Sequence, residues 1–216
     1  VELLPQALSS LLQADPQAAF AIVEDAPWPA DQPPTVPPEA RAQLLADAAA
    51  LVGNYFGLED PRVIEPSHRE QLVEAGLDGD LLLRGYIDRV DERDGQLRVV
   101  DYKTGRAPGE NWEQPAMFQL RFYALIVQRA TGRIPERLQL LYLGNSEVLT
   151  YHPDEEDLER FERKLQAMWK AITRAADTGD WRARRSGRCR WCSFQSLCPE
   201  FGGTVPAIPE LPGSPG

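Results

Sequence analysis

The sequence predicts an α/β fold, a mixed central β-sheet flanked by helices. Three observations carry that prediction. Strand-like runs at about 63–75, 80–92 and 97–103 follow one another closely, as in an antiparallel meander. Residues from about Pro115 to Arg129 then repeat apolar side chains at helical spacing, so a helix separates the meander from the strands that follow. Two short strands and a long amphipathic helix come after it, which sets helices on both sides of the sheet.

Each element has its own signal. Residues 1–23 read as a helix with Leu4, Leu8, Leu11 and Leu12 at helical spacing. The segment 26–38, APWPADQPPTVPP, holds six prolines and reads as a linker, since proline removes a backbone donor and fixes φ. Pro37 and Pro38 open a helix to about Phe56, with Leu44, Leu45, Ala48, Leu51, Val52 and Tyr55 along one side and Gly57 as its stop. The strands at 80–92 and 97–103 flank Asp94-Gly95, a strong signal for a two-residue hairpin turn. The helix from Pro115 to Arg129 carries Phe118, Phe122, Leu125 and Ile126 on its apolar stripe. Strands Arg137–Leu143 and Glu147–His152 meet around Gly144-Asn145. A helix from Asp154 to about Ala176 is expected to bury Leu158, Phe161, Leu165, Met168, Trp169 and Ile172. The Gly/Pro-rich tail 202–216 is expected to be disordered.

Composition narrows the function. The 216 residues suit one domain with a substantial core, and 43% hydrophobic with 26% charged residues is ordinary for a globular protein. No run approaches transmembrane length and the start does not resemble a signal peptide, so a cytoplasmic location and no membrane partner are expected. The chain begins at Val1 rather than Met, from which a preceding segment is expected. A net charge of −10 argues against a protein that coats nucleic acid indiscriminately. The charge is uneven, however: Arg182, Arg184, Arg185, Arg188 and Arg190 fall within nine residues, and such a patch contacts phosphates because screening isolates it from distant acids.

The segment Gly85–Gly105, GYIDRVDERDGQLRVVDYKTG, carries the chemistry. If Asp94-Gly95 is the whole loop, Arg93 pairs with Gln96 and Asp88 falls opposite Asp101. Two like charges roughly 4.5–5.5 Å apart at Cβ destabilise a fold. A divalent cation between them makes the arrangement favourable, and Lys103 emerges on the same face as Asp101. Carboxylates are hard ligands suited to Mg²⁺ or Mn²⁺, and the Tyr102 carbonyl is a candidate third oxygen. Asp91 faces Arg98 on the other side in an ordinary cross-strand ion pair.

These residues resemble the PD-(D/E)XK nuclease superfamily, and within it the RecB-like exonucleases. That branch is recognised by G-x-I-D-R-x-D, D-Y-K-T-G and Q-x-x-x-Y, matched here by Gly85–Asp91, Asp101–Gly105, and Gln119 with Tyr123. The resemblance covers about residues 65–201. It implies a restriction-endonuclease-like core, with Asp88 and Asp101 as metal ligands, Lys103 as the catalytic lysine, and Gln119 and Tyr123 at the site. It implies a metal-dependent DNA exonuclease of repair or recombination acting on single strands or duplex ends, with a possible helicase partner. Arg106, Arg184, Arg185, Arg188 and Arg190 are its candidate DNA contacts. A catalytically inactive DNA-binding scaffold and an RNA- or nucleotide-directed phosphodiesterase are the competing readings. On this reading the chain divides into an N-terminal helical region (1–60), a nuclease core (61–180), an Arg/Cys segment (181–201) and the tail.

Cys189, Cys192 and Cys198 lie in C-x₂-C-x₅-C, and three thiols so close point to a metal before a disulfide framework. The spacing is similar to the C-terminal part of the iron–sulfur staple of RecB-like nucleases, which implies a [4Fe–4S] cluster. A Cys₃His zinc site using His68 or His152, or three free thiols, are the alternatives. No cysteine precedes Cys189, and neither histidine sits on a helix before the strands, where the family places a metal-binding one. Either this member has dropped both elements or, the reading favoured here, the fourth cysteine and the histidine belong to a segment before Val1, and the chain lacking them is then expected to be inactive as it stands.

Overall fold

The computed structural model describes residues 3–14, 36–78, 80–109 and 114–206. They form α1 (Leu4–Ala14), α2 (Pro38–Leu58), β1 (His68–Leu77), β2 (Leu81–Arg93), β3 (Gln96–Lys103), α3 (Gln114–Thr131), β4 (Arg137–Tyr142), β5 (Glu147–Tyr151) and α4 (Glu155–Thr178), followed by 3-10 turns. The expected continuation of α1 to residue 23, most of the proline linker and the tail beyond 206 lie outside the described residues. The chain divides into two compact units, Val1–Gln166 and Ala167–Gly216. Among the described residues no helix is long and apolar enough to cross a membrane.

The sheet is mixed, in the order β1-β2-β3-β4-β5. β1, β2 and β3 are antiparallel; β3 and β4 are parallel, joined by α3 as crossover; β5 returns antiparallel to β4. A parallel pair needs such a crossover, and α3 supplies it with Ala116, Leu120, Ala124, Leu125, Ile126 and Val127 buried. Its apolar face packs on Ala75, Leu83, Ile87, Val99, Leu138 and Leu140 to make the core. Covered by α3 alone, the sheet would alternate strictly. Instead Val100 and Leu141, on its other face, are also buried.

Two expectations need correction. α2 passes Gly57 and is capped by Glu59, whose N–H bonds the Tyr55 carbonyl, because a glycine costs a helix only about 1 kcal/mol and does not end it unaided. α4 buries Leu158, Phe161 and Leu165, but Met168 and Ile172 are about half exposed. Its apolar stripe continues in sequence, and burial stops where the first compact unit ends.

Candidate active site

The hairpin turn forms as its residues dictate. Asp94 and Gly95 hold φ of 53° and 78°, the positive pair a type I′ turn requires. The ladder then runs from Arg93–Gln96 to Arg89–Val100 in the expected register. It stops one pair short of the two aspartates. Beyond that point β2 stays with β1 and β3 stays with β4, so the hairpin opens as a fork. Asp88 therefore does not face Asp101 across a closed ladder. Its carboxylate enters the fork and accepts a hydrogen bond from the Tyr102 backbone N–H at 2.8 Å.

The backbone is irregular here for an identifiable reason. Ile87 and Val90 belong to the same core although three positions apart, which strict alternation forbids. Glu70, opposite Asp88 by the β1–β2 register, holds φ of 48° and leaves the ladder between Arg69–Arg89 and Gln71–Ile87. Non-glycine residues adopt that conformation rarely, and it gathers at functional sites. A cavity of about 270 Å³ lies on this side, lined by Tyr55, Arg69, Glu70, Asp88, Arg89 and Tyr102 among others.

Asp101 is the buried member of the pair, its side chain 6% exposed. Its Oδ1 accepts from the Gln119 amide at 2.9 Å. Its Oδ2 forms an ion pair with the Lys103 ammonium at 2.6 Å. Burial pushes the Asp101 carboxyl above its ordinary value and the Asp88 charge adds to the shift; Lys103 and Gln119 offset only part of it. Tyr123, one turn along α3 from Gln119, donates its hydroxyl to the Tyr86 carbonyl at 2.7 Å. Gly85 makes room for that ring, since a Cβ there would stand 2.9 Å from Tyr123 Cε1. Tyr123 thus ties α3 to the strand leading to Asp88.

Sequence reasoning missed the supports. Arg89, 4% exposed on the α2 face, bonds both Glu59 oxygens at 2.9 and 3.1 Å, Asp91 at 3.1 Å and the Tyr102 hydroxyl. Arg98 reaches the same Glu59 and Asp91. The Asp91–Arg98 pair is therefore one edge of a buried network, not an isolated cross-strand bridge. The R and second D of the G-x-I-D-R-x-D run were its only sequence signal; Glu59 lies thirty residues before Arg89 and had none.

The loop after Lys103 is clamped as well. Leu143 N–H bonds the Lys103 carbonyl at 2.8 Å, Gly144 N–H bonds the Gly105 carbonyl at 3.0 Å, and the Asn145 side chain accepts from Ala107 N–H at 3.0 Å. A Cβ on Gly144 would sit 2.6 Å from the Gly105 oxygen, which is backbone and cannot turn aside. Gly144→Ala is expected to shift the Lys103–Gly105 segment. Since a misplacement of about 1 Å can cost about 10²-fold in rate, any reaction that uses Lys103 should slow at least about tenfold. Turnover of the variant, measured beside its thermal midpoint, checks this.

The donor set suits a hard divalent cation. Asp101 presents a buried carboxylate whose Oδ2 meets only the Lys103 ammonium, and Asp88 adds negative charge beside it. Among the described residues, no three His, Cys, Asp or Glu side chains gather into a metal-holding group. That holds for the cysteines too: Cys189 and Cys198 are half-buried, Cys192 is exposed, and none of the three is in a disulfide. His68 opens β1 and His152 follows β5, where its Nδ1 lies 3.0 Å from the Glu136 carbonyl. Arg106, Arg184, Arg185, Arg188 and Arg190 are all exposed.

A family model of the PD-(D/E)XK nuclease superfamily matches residues 2–199. The chain belongs to that superfamily. The Gene 69 proteins of Mycobacterium phages D29 and L5 are 34% and 30% identical to it, over 61% and 58% of the chain. The chain spans about half the length of these phage relatives, 48% and 42%. A CRISPR-associated exonuclease Cas4/endonuclease Cas1 fusion of Leptospira interrogans is 27% identical over 55% of the chain and 22% of its own length. Among solved structures, a candidate exonuclease from Eubacterium rectale aligns with 97% of the chain and 72% of its own, with a TM-score of 0.51 and 13% identity. That likeness speaks for the fold, which is the restriction-endonuclease-like α/β fold of PD-(D/E)XK nucleases.

Proposed function

We propose that this PD-(D/E)XK protein is a metal-dependent DNA exonuclease of the RecB-like type, working in DNA repair or recombination in the cytoplasm. The observation that carries the reading is the buried Asp101, with one oxygen held by Gln119 and the other beside the Lys103 ammonium, next to Asp88. Asp88 and Asp101, with the Tyr102 carbonyl, would hold Mg²⁺ or Mn²⁺; such an ion polarises a phosphodiester and makes bound water more acidic. Lys103 stabilises the charge that builds on the phosphorus oxygens, since a fixed ammonium in a water-poor site needs no reorganisation. Gln119 fixes the rotamer of Asp101 and Tyr123 positions α3 against β2.

Arg106 and the cluster Arg184, Arg185, Arg188 and Arg190 contact DNA phosphates in this reading, and Cys189, Cys192 and Cys198 bind a [4Fe–4S] cluster with a fourth ligand from elsewhere. The C-x₂-C-x₅-C spacing supports the cluster, and a helicase partner rests on the resemblance alone. The boundaries at about residues 60 and 180 belong to the same proposal. Mn²⁺-dependent degradation of linear DNA by the full-length protein, with Asp101→Ala and Lys103→Ala near background, is the expected result. Equal residual cleavage in all three refutes the nuclease reading. For the cluster, broad visible absorbance after anaerobic purification is expected, and a colourless protein with stoichiometric zinc refutes it.

A further inference from the structure

The segment after α4 exposes aromatic side chains between its arginines. Trp181 is 64% exposed, Trp191 71% and Phe194 69%. Large apolar surfaces left so open call for an occupant. Residues 181–201 contain five arginines and one acid, Glu200, in a chain whose net charge is −10. Among the described residues Arg182 is paired with Asp180 and Arg185 with Glu200. Arg184, Arg188 and Arg190 have no carboxylate partner there, and the Arg190 guanidinium lies 3.7 Å over the Trp191 ring. The occupant must therefore be anionic and carry flat apolar faces. Phosphates joined to bases meet both demands.

We infer that Trp191 and Phe194 form a stacking platform for unpaired bases, and that the neighbouring arginines hold the phosphates of the same single DNA strand. In a duplex each base face is covered by its neighbour in the stack, so an indole on a surface turn cannot reach it. Splayed bases of a single strand offer that face, and aromatic stacking accepts any base. Gly187–Trp191 is a short 3-10 turn, not a helix that could enter a major groove. The inference rests on the nuclease reading only in taking the polyanion to be DNA; the strand preference comes from the aromatic and basic side chains alone.

The test is anisotropy of the full chain in EDTA, with labelled oligothymidylate and a labelled mixed-sequence duplex. The parent should bind the single strand more tightly. Trp191→Ala should weaken that binding about 5- to 100-fold, the loss of one stacked base, leave duplex binding unchanged, and be largely rescued by Trp191→Phe. Arg184→Ala with Arg188→Ala should weaken both ligands and flatten the salt dependence, because fewer counterions are released. Because Trp191 is exposed, the thermal midpoint should not move. Unchanged single-strand affinity in both Trp191→Ala and Phe194→Ala overturns the inference, and so does an equal loss on both ligands. Chelated metal removes cleavage from the measurement, so the nuclease reading stands or falls separately.

Discussion

Asp101→Asn should abolish cleavage and, in EDTA, make the protein more resistant to heat. Cleavage should fall by at least about 10²-fold, the usual loss when one preorganised charged or polar group is removed from an active site. The gain in stability follows from the same burial. Asp101 is nearly inaccessible and Asp88 lies close, and the Lys103 ammonium on one oxygen and the Gln119 amide on the other offset that cost only in part. Its carboxyl is consequently held above its ordinary value in the folded protein. For an acid shifted in that direction the folded state binds the proton more tightly than the unfolded one, so stability is greatest below the unfolded value and declines as pH rises through the folded value. When ionised in the metal-free protein, Asp101 carries a charge that burial disfavours. Asparagine keeps the shape and the contact with Gln119 and removes the charge. Thermal melts in EDTA from pH 4 to 8 check this: the parent should lose stability relative to Asp101→Asn as pH rises, and the gap should narrow when Mn²⁺ is added. A variant less stable than its parent at neutral pH in EDTA would show that Lys103 more than compensates the buried charge.

The reason for that trade is legible in the sequence. Asp94-Gly95 sets the register, and the register brings Asp88, Asp101 and Lys103 to the same end of the hairpin. A two-residue turn has few conformations, so local chemistry determines the pairing as far as Arg89–Val100, five residues away on each strand. The fork at Arg89–Val100 was not legible, because it depends on β4 claiming β3 and β1 claiming β2, both long-range pairings. The positive φ of Glu70 was equally hidden: nothing in S-H-R-E-Q asks for it, and it coincides with the break in the β1–β2 ladder opposite Asp88. Helix positions followed periodicity well, but α4 shows its limit. An apolar stripe says which face would be buried and not how far along the helix a partner extends. Gly85 and Gly144 make the complementary point. Each has a neighbour distant in sequence where a Cβ would go, Tyr123 for the first and the Gly105 carbonyl for the second, and the sequence read Gly144 only as a turn and Gly85 only as the head of a motif.

The buried network behind the hairpin should set how firmly the fork is held, and Arg89→Ala is its sharpest probe. Removing one partner of a buried ion pair costs about 3–5 kcal/mol, since the other charge stays buried without its counter-ion. Here the low end applies. Glu59 keeps Arg98, and Asp91 keeps Arg98 as well, so neither acid is fully orphaned. A loss of about 3 kcal/mol corresponds to a fall in Tm of about 6–12 °C for a chain of this size. The same network gives the fold an acid limit. Burial alone would raise the Glu59 carboxyl, but the hydrogen bonds and charges of Arg89 and Arg98 together outweigh it and hold the group below the usual carboxylate range. A depressed acid contributes stability above its unfolded value and loses that contribution as pH falls through the folded one. The parent should therefore weaken as pH drops below about 4.5, and Arg89→Ala should show a shallower decline because Glu59 has lost half its support. Activity should fall too, since Arg89 holds the Tyr102 hydroxyl and Tyr102 N–H is the donor to Asp88. The decisive comparison is Arg89→Met with Glu59→Gln. If the network acts as a unit, the double variant is more stable than the two single losses predict by addition. Yet it should recover little cleavage, because neither replacement restores the grip on Tyr102. Strict additivity in stability would mean that the two residues act separately, and that the fork is held by the sheet alone.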